Sequence, residues 1–151
     1  MRRPHSSWPF VIERALVWAG LAALLHGAWE LIQFPLLSAA YDGDRVRAIA
    51  TLLHAILGDA LLATGFYFIV AVVFRDADWP RHHAKRGAAM LAVIGVAASI
   101  LMQWYQLYYL NLDVYGDAMP TVAGIGVLPM LQWIVVSPLS VALIRELERA
   151  R

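Results

Sequence analysis

Residues 15–37 read ALVWAGLAALLHGAWELIQFPLL, an apolar run in which only His26 and Glu30 ionise. A helix rises about 1.5 Å per residue, so a run of this length spans the roughly 30 Å hydrocarbon core of a bilayer. Three further stretches of the 151-residue chain have the same character, at about 48–74, 87–110 and 121–144. None alternates apolar and polar residues with period two, which argues against a membrane β-barrel. The expected fold is therefore all-α: one domain, residues 1–151, forming a bundle of four transmembrane helices.

Composition points the same way. The chain is 61% hydrophobic and 15% charged, where soluble domains run near half and a quarter. A net charge of +1 gives no footprint for nucleic acid. The absence of cysteine excludes disulfides, thiolate metal sites, iron–sulfur clusters and cysteine nucleophiles. Turn-rich segments separate the spans: Tyr41-Asp42-Gly43-Asp44, Arg75 to Pro80, and Asn111 to Pro120. They are too short to hold a soluble domain, so any chemistry belongs inside the bundle or at its mouths.

The basic residues are sorted. Arg2, Arg3 and Arg14 precede the first span, Arg75, Arg81, Lys85 and Arg86 join the second to the third, and Arg145, Arg149 and Arg151 follow the fourth. Ten thus lie on one side, against Arg45 and Arg47 on the other. Cytoplasmic loops carry the excess, which predicts both termini in the cytoplasm of a bacterial inner membrane. Ser38-Ala39-Ala40 after an apolar run superficially resembles a signal-peptide cleavage site. A signal h-region has about 7–15 apolar residues, however, and the run here is far longer and carries His26 and Glu30.

Ionisable groups at the bilayer centre are costly, about 2.5–3.5 kcal/mol for an acid, and mark functional sites by default. His26, Glu30 and Gln33 follow i, i+4, i+7 and stack on one helix face, which extends back through Ala23 and Ala19. The small residues suit close helix packing, so the polar stripe is predicted to face the bundle. Ser99, Gln103 and Gln106 repeat the spacing in span three, span two adds His54 and Asp59, and span four adds Gln132. His54 and Asp59 stand about 140° apart around a regular helix, so they do not share a face. By depth these groups converge between mid-membrane and the outer surface, while the inner half of each span reads as almost purely apolar. Pro35, Pro129 and Pro138 lie within or near span ends. Pro129 is expected to free the carbonyl of Ile125, as broken backbone lining a cavity would.

A purely structural network orienting the helices would account for part of this polarity. Three chemistries account for more. His26, Glu30, His54 and Asp59 form a candidate metal set, since imidazole and carboxylate suit zinc, iron or manganese, with His26 and His54 alternatively ligating haem. The same groups are candidates for proton exchange. In the third reading a cavity open to lipid binds a hydrophobic small molecule, with Glu30 or Asp59 as acid or base and His26 assisting. Gln33, His54, Gln103, Gln106 and Gln132 are then its ligand-binding residues.

His26-Gly27-Ala28-Trp29-Glu30, in the first span of a four-helix unit, resembles the HxxxE pattern of EXPERA-domain proteins, which include the emopamil-binding sterol isomerases. Gln132-Trp133 followed by Pro138 is loosely similar to that family's closing helix. The resemblance implies a double-bond shift through a carbocation, with His26 and Glu30 as its residues. The chain is also similar to small bacterial four-helix membrane proteins, a likeness that implies no activity.

Trp104, Tyr105, Tyr108, Tyr109 and Tyr115 read as an interfacial aromatic belt. His82 and His83 read as headgroup-facing, and Asp113 and Asp117 as solvated loop carboxylates. Arg145 to Arg149 reads as a charged helical end without an assigned role. The functional expectation is a ligand-binding membrane protein centred on Glu30 and His26, with no cofactor identified. The opposing class is an accessory subunit whose polar stripes meet a membrane-complex partner or a second copy.

Overall fold

The computed structural model describes residues 8–37, 43–112 and 114–150, the side chains of 8–11 excepted. Arg2, Arg3, the Ser38-Ala39-Ala40 motif, Tyr41, Asp42, Asp113 and Arg151 lie outside the described residues.

Helix α1 spans Trp8–Gln33 and tightens into a 3₁₀ turn at Phe34–Leu36, where Pro35 cannot continue the α-helical bonding. Helix α2, Arg45–Phe74, starts earlier than its apolar run. Asp44 caps it, accepting from the amides of Val46 (3.0 Å) and Arg47 (3.1 Å). A short helix α3, Trp79–His82, leads into α4, Ala84–Trp104, whose end widens into a π turn at Tyr105–Tyr109. Helix α5 spans Val127–Arg149. Four helical segments are long and apolar enough to cross a membrane. Leu24, Leu31, Leu57, Leu61, Val72, Val93 and Leu101 stand exposed on α1, α2 and α4, an outward apolar coat suited to lipid.

The fourth helix does not begin at residue 121. Thr121–Val122 and Ile125–Gly126 form a hairpin, strands β1 and β2, with Val122 opposite Ile125. Its two turn residues, Ala123 (φ 51°) and Gly124 (φ 78°), both take positive φ, as a primed two-residue turn requires. Pro129 therefore falls in the first turn of α5, where an amide would have no helical partner anyway, and it breaks nothing. Pro138 is the proline inside that helix.

The helices form a ring in which α1 packs on α2 and α5, and α4 packs on α5 and, over a shorter seam, on α2. Arg14 of α1 meets Asp78 and Glu148, so the start of α1, the α2–α4 connection and the end of α5 share a basic end. Leu37 bridges Tyr115 at the opposite, distal end.

The two halves of the bundle are filled differently. Towards the basic end, Trp18, Tyr67 and Trp79 interlock, with Trp18 5.0 Å from Tyr67 and 5.7 Å from Trp79 between ring centroids. Their polar atoms bond to backbone: Trp18 Nε1 donates to Ala63 O, Trp79 Nε1 to Tyr67 O, and the Tyr67 hydroxyl to Ala77 O. Arg14, just before the first apolar run, is also buried at this end.

Gly95 lets Trp133 of α5 lie flat on α4. A Cβ added at Gly95 would stand 2.1 Å from Trp133 Cε3, and Trp133 is itself buried. Gly95→Ala is therefore expected to destabilise the bundle by about 2–3 kcal/mol, the upper range for overpacking. Gly20→Ala, with open space around its Cβ, is the control and loses nothing. Thermal unfolding in mild detergent measures both.

Candidate functional site

Side chains buried along α1 form one line: Arg14, Trp18, Ala22, His26, Glu30 and Gln33. Steps of four or three keep them on the face turned to α2 and α5. The line passes through Ala22 and Trp18; Ala19 and Ala23 are only half-buried beside it.

In the distal half this face meets Asp59 of α2 and Gln132 of α5. Gln132 Nε2 donates to Asp59 Oδ2 at 2.7 Å and lies 2.8 Å from His26 Nδ1. An amide nitrogen only donates, so Nδ1 accepts, and the proton of a neutral His26 sits on Nε2. This orientation of the amide is the one that suits Asp59, because the reverse would set two acceptor oxygens together. His26 Nδ1 is 3.6 Å from Asp59 Oδ2, and the imidazole packs on Trp133 with centroids 4.7 Å apart.

Glu30 joins from the next turn. Its Oε1 accepts from Gln33 Nε2 at 2.7 Å, and Gln33 Oε1 accepts from Trp29 Nε1 at 3.1 Å. The Glu30 carboxyl also adjoins Asp59 and Gln132. The result is one connected set: two carboxyls from two helices, an imidazole of defined tautomer, and two amides that hold them. Its burial is uneven. His26, Glu30 and Gln132 are 2%, 3% and 2% exposed, whereas the Asp59 side chain is 19% exposed. The buried residues of α2 (Ala63, Phe66, Tyr67 and Val70) all follow Asp59, so α2 is loosely covered from Asp59 to the distal end.

The remaining sequence candidates lie elsewhere. His54 is exposed on the outer face of α2, because the five-residue step from Asp59 turns it away. Neither the His26/His54 haem pair nor the four-residue metal set is assembled. Among the described residues, no three or more His, Asp or Glu side chains are grouped to hold a metal ion. Gln106 is half-buried and stands outside the set.

Gln103 is buried but belongs to a second network. Its Nε2 donates to Ser99 Oγ at 3.0 Å, while its Oε1 accepts from the Gly126 amide at 2.9 Å and from the Tyr115 hydroxyl. Its oxygen seats the hairpin and its nitrogen is tied back to α4, so both ends of the amide have partners within the chain. Burial pushes the Tyr115 phenol pKa up, which keeps this donor protonated. The Gly116 amide donates to Leu36 O at 2.9 Å, fastening the same loop to the end of α1. The loop thus packs across the distal end of the bundle.

Reading the sequence also missed the ion network at the basic end. Arg14 pairs with Asp78 and, at 2.9 Å, with Glu148; Arg81 lies 3.3 Å from Glu148. The available signal was Arg14 falling on the four-residue line back from His26. No protein-family model, no curated protein and no solved structure matches this chain.

Proposed function

We propose that the chain is a multi-pass membrane protein that binds a lipid-soluble ligand beside α2 and moves protons on it by acid–base, isomerase-like chemistry. One observation carries the reading: Asp59 reaches the surface while bonded to the otherwise buried Gln132 and adjoining the buried Glu30. A site built only to orient helices has no need of a part-exposed carboxyl linked to a buried one. With the loop across the distal end, the loosely covered side of α2 is the approach, and it faces the bilayer.

In this scheme one carboxyl of the Glu30/Asp59 pair gives a proton to one carbon of a double bond. The cation forms on its double-bond partner, and the other carboxyl removes a proton from the carbon beyond that cation, so the double bond moves one position and the product has the composition of the substrate. Transfer between the adjoining carboxyls restores the starting state. His26 and Gln132 position Asp59, and Gln33 positions Glu30. The sorted basic residues put both termini in the cytoplasm and the site in the outer half of a plasma membrane, the inner membrane of a bacterial cell.

The test incubates reconstituted wild-type protein or Glu30→Gln with a cell lipid extract in deuterated water, the lipids then compared by mass spectrometry. The expected result is a lipid that gains solvent deuterium without changing composition and is absent with the variant. Identical extracts, together with a stable heteromeric assembly on gentle solubilisation, would replace this reading with the accessory-subunit one.

A further inference from the structure

An open groove of about 410 Å³ runs between α4 and α5 at the basic end, floored by Ala88, Ala92, Pro138 and Val141, with Ala89 on its exposed rim. Lys85 and Arg145 also line it. The helices are antiparallel, so Lys85, before the alanines of α4, and Arg145, after Pro138 of α5, stand at the same end of the groove. The floor extends roughly 10 Å from these cations towards mid-bundle, at 1.5 Å per residue. Arg14, Arg81 and Arg149 are paired with carboxylates. Among the described residues, Lys85 and Arg145 have no such partner.

Two unpaired cations above an apolar channel match a molecule with an anionic head and a hydrocarbon tail. A second copy of the chain matches poorly, because a two-fold contact through this groove would bring Lys85 and Arg145 against the same cations of the partner copy. We propose that the groove binds an anionic phospholipid, with Lys85 and Arg145 on the headgroup phosphate and an acyl chain along the alanine floor. This rests on insertion of the helices in a bilayer and not on the chemistry at Glu30.

The test takes delipidated protein in detergent and counts bound phosphatidylglycerol or phosphatidylcholine by native mass spectrometry. Phosphatidylglycerol is expected to bind roughly tenfold more tightly, and Lys85→Gln with Arg145→Gln to erase that preference at unchanged helical content. Ala89→Leu, which narrows the groove and keeps both cations, is expected to weaken binding of both lipids, and millimolar inorganic phosphate is expected to displace neither. A preference that survives the charge variants, or binding indifferent to Ala89→Leu, would overturn the proposal. So would displacement by inorganic phosphate, which indicates a free-anion site, or a dimer dispersed by Ala89→Leu, which indicates a helix-packing face.

Discussion

Glu30→Gln and Asp59→Asn are each expected to lower turnover of the lipid-soluble substrate by about 10²–10⁴-fold, the usual worth of a positioned general acid or base. Both substitutions keep the shape of the side chain and remove only its ability to take up and release a proton. The Gln33 amide can still bond to the oxygen left at position 30, and Gln132 to the one at position 59. Loss of activity would therefore report proton transfer and not collapse of the network. On the proposed mechanism the two carboxyls act as one unit, so the double variant is expected to be scarcely worse than either single one. His26→Leu leaves both acids but frees the Gln132 amide that lies between His26 and Asp59. It is expected to fall between wild type and the acid variants. Rates from the deuterium-incorporation assay on reconstituted protein order all four.

Arg14→Met is expected to cost about 3–5 kcal/mol of folding stability, as removal of one partner from a buried ion pair does. Arg14 is buried at the crossing of three segments and holds Asp78 of the α2–α4 connection and Glu148 of α5. Without it both carboxylates lose their inner partner, and Arg81, half in solvent, reaches them only from outside at 3.7 and 3.3 Å. Adding Glu148→Gln to Arg14→Met is expected to restore part of the loss, because one of the two carboxylates left without Arg14 is then neutral. Denaturant unfolding in mixed micelles reads both values. Arg149→Met, whose side chain pairs with Glu146 in solvent, is the control and is expected to change stability by less than about 0.5 kcal/mol.

The four long helices were legible because bilayer thickness imposes a length that composition reveals. The line His26, Glu30, Gln33 was legible because helical spacing alone puts those residues on one face. Asp59 and Gln132 followed from depth, since both stand near the middle of their spans. His54 failed for a reason local to α2. Depth says how far along a helix a residue lies but not how that helix is rotated, and His54 and Asp59 differ in rotation more than in depth. Gln103 failed differently: its spacing matched a polar stripe, but its partners are the Gly126 amide and Tyr115, brought to it by a hairpin that hydropathy reads as membrane span. The turn pair Ala123-Gly124 between Val122 and Ile125 was the local signal for that hairpin. The fits of Trp79 over Gly87 and Trp133 over Gly95 depend on which helices are neighbours, and one chain read alone does not state that.

On the proposed reading His26, Glu30, Asp59 and Gln132 are kept for chemistry and not for holding the helices together. Groups kept for function are commonly stabilised at the expense of the fold, so neutralising them leaves stability unchanged or raises it. The most direct measurement is the unfolding midpoint of Glu30→Gln and Asp59→Asn in mild detergent, beside wild type. Midpoints equal to or above wild type, with the lipid conversion lost, are expected. Midpoints lowered in both variants, with folded protein lost in proportion to activity, would make the cluster a structural network and contradict that reading.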